Sequence, residues 1–289
     1  MMKTILVTGA TGFLGSKLVK AILDRGDKVI AVLGRSQNYL ELFSRNDNVK
    51  MCSHLELFSS DFGNIDTLIH SAFSRGENLH GLTESLSFSE RIIDYVNQND
   101  TIQSVINIST QGIYHGLKPK EKVAETGCIS PNTSYGLAKF AVEKMFEIGS
   151  TKPYTNIRLA SLSANARFLD FFVDSVIAHK DINITAPRQY ASIMDVSDAV
   201  NGILSVESIP VAEREDVYNL GPDEQYSILD YANAANQIGQ QYGYNPVQIT
   251  VNDNGNEFAI CMDCSKLRKQ TGWKPVVSKA LMLQKMFDK

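Results

Sequence analysis

The sequence predicts an α/β fold, in which a doubly wound parallel sheet is followed by a smaller mixed α/β lobe. Short apolar runs alternate with segments of helical spacing from Lys3 to Ser109. These runs are apolar almost throughout, which is typical of strands that helices cover on both faces. Strands that alternate with helices form parallel sheets through right-handed crossovers, so the alternation predicts the fold class.

The elements follow in a regular order through the first half of the chain. The strand candidates are "KTILVTG", "DKVIAVLG", "NVKMC", "IDTLIHSAF" and "SVINIST". A helix after the first strand is indicated by apolar residues at helical spacing, namely Leu14, Leu18, Val19, Ile22 and Leu23. Gly26 is a typical helix stop. Residues 133–148, "TSYGLAKFAVEKMFEI", predict a later helix, and "TNIRLASL" predicts the strand after it. Beyond that strand the alternation is less regular, which indicates the smaller lobe.

Composition excludes several classes of protein. The chain has 289 residues, of which 43% are hydrophobic, and a net charge of −4, which gives no basis for binding nucleic acid or anionic membranes. No apolar run approaches the ~20 residues of a membrane span, and early glycines interrupt any signal peptide, so we expect a cytoplasmic protein. Cys261 and Cys264 form one CxxC without a second ligand pair, so we expect no metal site.

Three glycines, Gly9, Gly12 and Gly15, lie between the first predicted strand and the first predicted helix. At that position, backbone N–H groups and the positive end of the helix can bind a pyrophosphate without interference from side chains. We therefore predict a dinucleotide site formed by these glycines with the loop residues Thr11, Phe13 and Leu14. The corresponding domain covers 1–160. A substrate lobe covers 161–289, with about 190–221 returning to the first domain.

The end of the second predicted strand indicates which dinucleotide binds. An acidic residue there binds a ribose 2′-hydroxyl, whereas an arginine accommodates a 2′-phosphate. This strand ends in "VIAVLGRSQN", without an acid, and Arg35 and Ser36 follow it. The sequence therefore favours NADP, with NAD as the alternative.

Tyr135 and Lys139 lie four residues apart in a predicted helix, so both side chains lie on one face. A nearby cation lowers the pKa of a phenol, which is ordinarily about 10, and enables it to exchange a proton with a substrate oxygen. Thr110 ends the fifth predicted strand, and ligands bind at the carboxyl ends of such strands. We therefore interpret Thr110, Tyr135 and Lys139 as a catalytic set.

These motifs resemble the extended short-chain dehydrogenase/reductases of the NAD-dependent epimerase/dehydratase family, which have a Rossmann-type sheet. The matching segments, in family order, are "TGATGFLG", "IDTLIHSAF", "INISTQGIYH", "SYGLAK", "ASIMDVSDAV", "VYNLG" and "KLRKQTGWKP". The resemblance implies that Tyr135 is the acid/base and that Thr110 orients the substrate oxygen. It further implies that Lys139 binds the nicotinamide ribose and depresses the pKa of Tyr135.

The resemblance also implies that His70, Ser71 and Ala72 lie over the cofactor, and that the tyrosine helices of two chains pair in a homodimer. Phe73 follows as a candidate substrate contact. The chain departs from the family where Gln111 and Gly112 replace an acidic pair, which argues against dehydration. The later substrate segment is also altered and shortened. Ser161 replaces an asparagine there, and Arg188 or Arg167 could bind a phosphate.

We predict an NADP(H)-dependent ketoreductase of a keto-deoxy nucleotide sugar, because a reductase that exchanges its cofactor at each turnover usually takes NADPH. Three alternatives stay open at this point. They are an NAD-dependent nucleotide-sugar 4-epimerase, a reductase of a smaller carbonyl compound that fits the shortened pocket, and a non-catalytic NADP-binding protein.

Overall fold

A computed structural model describes residues 2–34, 46–75, 79–115, 122–222, 224–253, 255 and 260–288. The chain forms two compact units. The first comprises Met1–Ile113, Pro131–Arg158 and Ile203–Tyr218, and the second comprises Tyr114–Ser130, Leu159–Gly202 and Asn219–Lys289. In the described part of the chain, no helix is long and apolar enough to cross a membrane.

The described strands are, in chain order, β1 (Thr4–Thr8), β2 (Lys28–Val32), β3 (Val49–Cys52), β4 (Thr67–His70), β5 (Val105–Thr110), β6 (Tyr154–Leu159), β7 (Ser161–Leu162), β8 (Ile182–Ile184), β9 (Tyr190–Ala191), β10 (Ile193–Met194), β11 (Val217–Leu220), β12 (Tyr226–Ser227) and β13 (Ile249–Val251). The described α-helices are α1 (Phe13–Asp24), α2 (His54–Leu57), α3 (Leu79–Gln98), α4 (Ser134–Gly149), α5 (Arg167–Ile177), α6 (Val196–Glu207), α7 (Ile228–Gln241), α8 (Ser265–Thr271) and α9 (Lys279–Phe287).

Among these described elements, seven strands form one parallel sheet in the order β11-β6-β5-β4-β1-β2-β3. The predicted Rossmann-type α/β fold is therefore confirmed. From β1 the chain continues outward to β2 and β3, and then returns to the other side of β1 as β4. In such open sheets, ligands bind outside the carboxyl ends of the strands at the point where the order reverses. The reversal lies between β1 and β4, which places the glycine turn after β1 at this edge.

The first unit is stabilised by apolar side chains from the sheet and from α3 and α4. Fully buried examples are Leu6, Leu68, Ile92, Val105, Val142 and Phe146. Burying a side chain of this size contributes about 1.5–3 kcal/mol relative to leaving it exposed. The continuous apolar runs in the sequence thus reflect strands that are covered by helices.

The second unit has its own apolar core, to which α5, α7 and α9 contribute. Its buried members include Leu169, Phe172, Val176, Tyr231, Ile238 and Leu283. Short strand pairs complete this unit: β7 with β10, β8 with β13 and β9 with β12. The predicted mixed α/β character of the C-terminal part is thus present.

Candidate active site

The glycine turn after β1 has no room for side chains. Gly9 has a φ of +67°, and a Cβ atom there would lie 2.9 Å from the Cα atom of Ala72. A Cβ atom on Gly15 would lie 2.1 Å from the carbonyl oxygen of Gly9, and the N–H group of Gly12 donates to the same oxygen at 2.9 Å. The turn therefore requires glycine at positions 9 and 15, and a Cβ atom on Gly12 would also be tight, at 3.1 Å from the Gly9 carbonyl oxygen.

The N-terminus of α1 opens directly out of this turn. Gly12 is its N-cap and, among the described residues, no side chain caps it or adds an acidic charge in the first turn. The first N–H groups of a helix have no acceptor within the helix, and the helix dipole favours an anion there. The backbone of Phe13, Leu14 and Gly15 therefore fits the diphosphate of a dinucleotide.

Thr11 has a supporting role in the loop. Its Oγ1 accepts the N–H of Gly34 at 2.9 Å, and the N–H of Ala10 donates to the carbonyl of Val32 at 3.1 Å. These bonds hold the glycine turn against the end of β2. Arg35 and Ser36, on which the NADP prediction depends, lie outside the described residues.

The structure limits how His70 can contribute to a cofactor site, because both of its ring nitrogens have partners inside the unit. The Nδ1 atom lies 2.9 Å from Oγ1 of Thr8, and Nε2 lies 2.9 Å from Oγ of Ser89. The Ser89 hydroxyl gives its own hydrogen to the carbonyl of Ser85, so it accepts a hydrogen bond from Nε2–H.

The Thr8 hydroxyl accepts the N–H groups of Ser71 and Ala72, at 3.1 and 3.2 Å, and so donates to Nδ1 of His70. The imidazole is therefore neutral, and burial lowers its pKa to about 3. The ring of His70 thus packs inside the unit and leaves only the backbone for a cofactor. The expectation that His70, Ser71 and Ala72 form the strand end over the cofactor stays a prediction. Ala72 lies directly against Gly9.

Two glycines bring the start of α4 close to the end of β5. A Cβ atom on Gly136 would lie 2.7 Å from the carbonyl oxygen of Gly112. Thr133 caps the helix by accepting the N–H of Gly136 at 3.0 Å, which places Tyr135 in the first turn. Thr110 Oγ1 accepts the N–H of Gly112 at 3.1 Å, so its hydroxyl hydrogen can still be donated to a substrate oxygen.

Phe73, Tyr135 and Lys139 lie together in the first unit. The rings of Phe73 and Tyr135 meet edge to face with centroids 5.9 Å apart, and Lys139 Nζ lies 4.4 Å from the Phe73 centroid. Lys139 is almost completely buried. Burial lowers the pKa of its ammonium group to about 7; Glu143 opposes this shift, and repulsion by Arg75 adds to it.

The electrostatics of Tyr135 involve burial and a nearby arginine. Burial raises the pKa of its phenol, and the charge and hydrogen bonding of Arg75, in the segment after β4, oppose this shift. The expectation that Lys139 depresses the pKa of Tyr135 stays a prediction.

Sequence reasoning missed a buried charged cluster beside Lys139. The Glu143 carboxylate accepts hydrogen bonds from the Ser109 hydroxyl and from two nitrogens of Arg158, at 3.2 Å to Nε and 2.8 Å to Nη2. Glu143 and Arg158 are 3% and 5% exposed. Each residue neutralises the charge of the other, because either charge would be costly to bury alone. An acid four residues after Lys139, on the same helical face, is the signal that could have identified Glu143.

Ser161 and Arg188 belong to the second unit, and their predicted substrate contacts stay predictions. Ser161 lies in β7 and pairs with Ile193 of β10. Arg188 is exposed and forms an ion pair with Asp253 at 2.7 Å. Among the described residues, no cluster of His, Cys, Asp and Glu could hold a metal ion.

Comparison with known proteins gives consistent results. The model of the NAD dependent epimerase/dehydratase family matches residues 5–221. The chain is 22% identical to UDP-glucuronic acid decarboxylase 1 of Arabidopsis thaliana, over 95% of this chain and 66% of that protein. It is 30% identical to dTDP-6-deoxy-L-talose 4-dehydrogenase (NAD(+)) of Aggregatibacter actinomycetemcomitans, over 53% of this chain and 58% of that protein. The chain thus spans less than two thirds of the length of both relatives.

Among solved structures, the fold is similar to that of a UDP-glucuronic acid 4-epimerase from Bacillus cereus, determined in complex with UDP-glucuronic acid and NAD. The TM-score is 0.82 at 20% identity, and the match covers 99% of this chain and 98% of the other. At this identity the likeness supports the fold, and the chemistry of the site must be argued from the residues themselves.

Proposed function

The chain belongs to the NAD-dependent epimerase/dehydratase family, and on that premise we propose that it transfers a hydride between a nicotinamide cofactor and C4 of a nucleotide sugar. The observation that carries the proposal is the placement of Thr110, Tyr135 and Lys139 in the same unit as the glycine turn. Thr110 ends a strand at the carboxyl edge of the sheet, where ligands bind in open α/β folds.

The roles of the residues follow from their chemistry. The bound nicotinamide supplies the hydride acceptor or donor. As a phenolate, Tyr135 takes the proton from a sugar hydroxyl during oxidation, and as a phenol it returns a proton to the carbonyl oxygen during reduction. Thr110 donates a hydrogen bond that orients this oxygen, and Lys139 binds the nicotinamide ribose. The backbone N–H groups at the N-terminus of α1 would hold the diphosphate of the cofactor.

Within this chemistry we propose 4-epimerisation with NAD as the resident cofactor. One solved structure that matches almost the whole chain is named a 4-epimerase and holds NAD, which supports this choice. An epimerase oxidises and then reduces the same carbon, so it needs a group that acts as both base and acid, which Tyr135 supplies.

A second candidate is the 4-ketoreductase of a keto-deoxy nucleotide sugar, with NADPH as the reductant. The relative with 30% identity is named a 4-dehydrogenase of a dTDP-6-deoxy sugar, which supports this alternative. The absence of an acid in "VIAVLGRSQN" also favours NADP. Dehydration is disfavoured, because Gln111 and Gly112 follow Thr110 and neither can act as the acid or base that an elimination needs.

Two assays separate these functions. In the first, the purified full chain is incubated with UDP-glucuronic acid or UDP-glucose without added cofactor, and proton NMR follows the sugar C4 configuration. Formation of the C4 epimer, with cofactor released only when the protein is denatured, supports the epimerase.

In the second assay, a dTDP-4-keto-6-deoxy sugar is added to the protein with NADPH or NADH. Stoichiometric cofactor oxidation supports the ketoreductase, and no change in either assay contradicts both proposals.

A further inference from the structure

We propose that a pocket at the amino ends of β5, β6 and β11 binds a small molecule in which a phosphate or carboxylate group is attached to a flat apolar group. These strands are neighbours in the parallel sheet, and residues that precede or begin them line the pocket. Its volume of about 340 Å³ is in the range of small-molecule sites, about 300–1,000 Å³. The inference does not depend on the proposed function.

The pocket is distant from the candidate catalytic residues, although both belong to the first unit. Ser104 lines the pocket directly before β5, whereas Thr110 is the last residue of that strand. A strand rises about 3.3 Å per residue, so the length of β5 separates these two residues by roughly 20 Å. A small ligand in the pocket therefore does not occupy the site at the carboxyl edge of the sheet.

Arg214 is held at this pocket by three uncharged oxygen atoms. Its Nε atom donates to the carbonyl of Ile209 at 2.9 Å, and its Nη1 atom donates to the Ser104 hydroxyl at 3.0 Å. Its Nη2 atom donates to the carbonyl of Glu207 at 2.5 Å. A guanidinium has five N–H groups, so one N–H on each terminal nitrogen has no acceptor in the part of the chain that the structure describes. These two N–H groups can bind an anion through charge-assisted hydrogen bonds.

Among the described residues, no carboxylate bonds the Arg214 guanidinium. The Glu207 carboxylate acts on it from a distance, but this carboxylate already bonds Lys3 and Arg25, each at 2.8 Å. Burial lowers the pKa of the Arg214 guanidinium by more than the charge of Glu207 raises it. A charge that is partly removed from water is costly without an opposite charge beside it, so an anion in the pocket would stabilise Arg214.

Lys152 supplies a second cation to the pocket. Its Nζ atom lies 3.5 Å from a carboxylate oxygen of Asp100, whose side chain is fully exposed, and such surface pairs contribute little. Asp216 lines the pocket as well, so the two cations and this one acid give the described lining a net charge of +1. The excess positive charge attracts an anion.

The apolar part of the lining favours a flat group next to the anion. It consists of Pro153, Tyr154 and Val211. The Tyr154 ring stacks on Phe146, with centroids 6.4 Å apart and planes at 29°, which fixes its orientation. A fixed aromatic ring is a suitable surface for a second flat ring.

The first test locates the ligand by NMR in the full chain. The probe is phenyl phosphate, which carries both groups in one molecule. Tyrosine is labelled at Cζ, and the Tyr154 resonance is identified by its absence from Tyr154→Phe. We expect phenyl phosphate to shift this resonance until the site is saturated, while the resonance of Tyr242, an exposed tyrosine of the second unit, stays in place. An unmoved Tyr154 resonance would overturn the proposal, wherever else the probe binds.

The second test measures the contribution of the two cations by titration calorimetry. We expect Lys152→Met and Arg214→Met each to weaken the binding of phenyl phosphate by about tenfold, because a charge-assisted contact is lost. Lys20→Met is the matched control, since Lys20 also pairs with a surface acid, Asp24, at 2.6 Å but does not line the pocket. Unchanged affinity in Lys152→Met, or an equal loss in Lys20→Met, contradicts the proposal.

Arg214→Met also removes the bonds to the carbonyls of Ile209 and Glu207, so it is accompanied by Arg214→Lys, which keeps the charge and should weaken binding less. If Arg214→Met does not fold, Arg214→Lys and Lys152→Met still decide the outcome. Inorganic phosphate and phenol should each bind more weakly than phenyl phosphate, and equal affinity for inorganic phosphate contradicts the flat group. Benzoate is titrated in parallel, and the tighter of benzoate and phenyl phosphate identifies the anionic group. Failure of both to bind overturns the proposal.

Discussion

The side chains of His70 and Tyr135 show that burial alone does not mark a functional group. His70 is fully enclosed, and both of its nitrogens are bonded to hydroxyl groups of the same unit. The Tyr135 ring packs edge to face against Phe73, and the residue is only partly buried. Exchange of a proton with a substrate needs such exposure, which the imidazole of His70 lacks.

Removal of the Tyr135 hydroxyl tests the catalytic assignment. In Tyr135→Phe we expect the turnover number to fall by a factor of about 100 or more, because the group that transfers the proton is lost. Cofactor affinity should stay close to that of the parent chain, as measured by fluorescence titration with NAD and NADP. Tyr242→Phe is the control, because its hydroxyl contacts Asp288 at the chain surface. Equal loss of turnover in both variants would count against the assignment.

His70 predicts a specific dependence of stability on pH. Its pKa is about 3 in the folded chain and about 6.5 when unfolded, so between these values the unfolded state binds an extra proton. The stabilisation is complete above pH 6.5 and is lost as the pH falls toward 3, by about 1.4 kcal/mol for each pH unit. Urea unfolding at several pH values should show a shallower dependence for His70→Gln than for the parent chain. Parallel curves would show that the pKa of His70 is the same in the folded and the unfolded chain, which contradicts the prediction.

How much of the site could be predicted depended on sequence distance. Tyr135 and Lys139 lie on one helix, so their spacing alone placed them on one face. Arg75 and Arg158 reach the same region from a loop and a strand far away in the chain. Their contacts result from the packing of the sheet, which no local pattern encodes.

At the scale of elements, the glycine turn and α1 depend on each other. In Gly15→Ala the new methyl group would overlap the carbonyl oxygen of Gly9, so the turn must open. We expect a loss of about 2 kcal/mol or more in the free energy of unfolding, together with weaker NAD binding by calorimetry.

Gly149→Ala is the control for this substitution. The nearest side-chain atom to its added Cβ, on Ile93, lies 3.3 Å away, and alanine is preferred in helices. It should leave cofactor affinity unchanged. If Gly15→Ala binds NAD as tightly as Gly149→Ala does, the turn does not hold the diphosphate.

The helices and longer strands were predictable, and the short strands were not. The helix predicted over 133–148 is observed as Ser134–Gly149, because the Thr133 side chain caps it and the apolar spacing extends to its end. The strands β7, β9, β10 and β12 contain two residues each. Such strands are too short to show a periodicity, so the second unit could be predicted only as mixed α/β.

At the scale of the whole molecule, Asn219 joins its own strand, β11, to two other segments of the second unit, one with Tyr114 and Val123 and one with Asp263. Its side chain accepts a hydrogen bond from the Tyr114 hydroxyl and donates to the carbonyls of Val123 and Asp263, at 3.0, 2.9 and 3.1 Å. Asn219→Leu removes these partners inside the core, which should cost about 3 kcal/mol in the free energy of unfolding.

The matched control is Asn201→Leu, because Asn201 is exposed on α6. Its unfolding midpoint in urea should stay near that of the parent chain. A similarly small change in Asn219→Leu would show that the three segments are held by other contacts.

The homodimer implied by the family resemblance stays a proposal, supported by apolar side chains on the outside of the first unit. Leu137 and Ile148 on α4 are 59% and 84% exposed, and Leu79 on α3 is 82% exposed. Covering such side chains stabilises association by about 25 cal/mol for each Å² of apolar area.

Leu137→Glu should therefore lower the sedimentation coefficient from that of a dimer to that of a monomer. Leu55→Glu, on α2, is the control, and a monomeric parent chain would contradict the proposal.

The sharing of the Glu143 carboxylate between Lys139 and Arg158 limits how the chain can be recombined with its relatives. The acid is on α4, whereas one of its two cations is on β6. A chimera that imports α4 without β6 would separate the carboxylate from the guanidinium and leave an uncompensated charge in the interior. Engineering that grafts a different reaction onto this scaffold must therefore exchange the helix and the strand as one block.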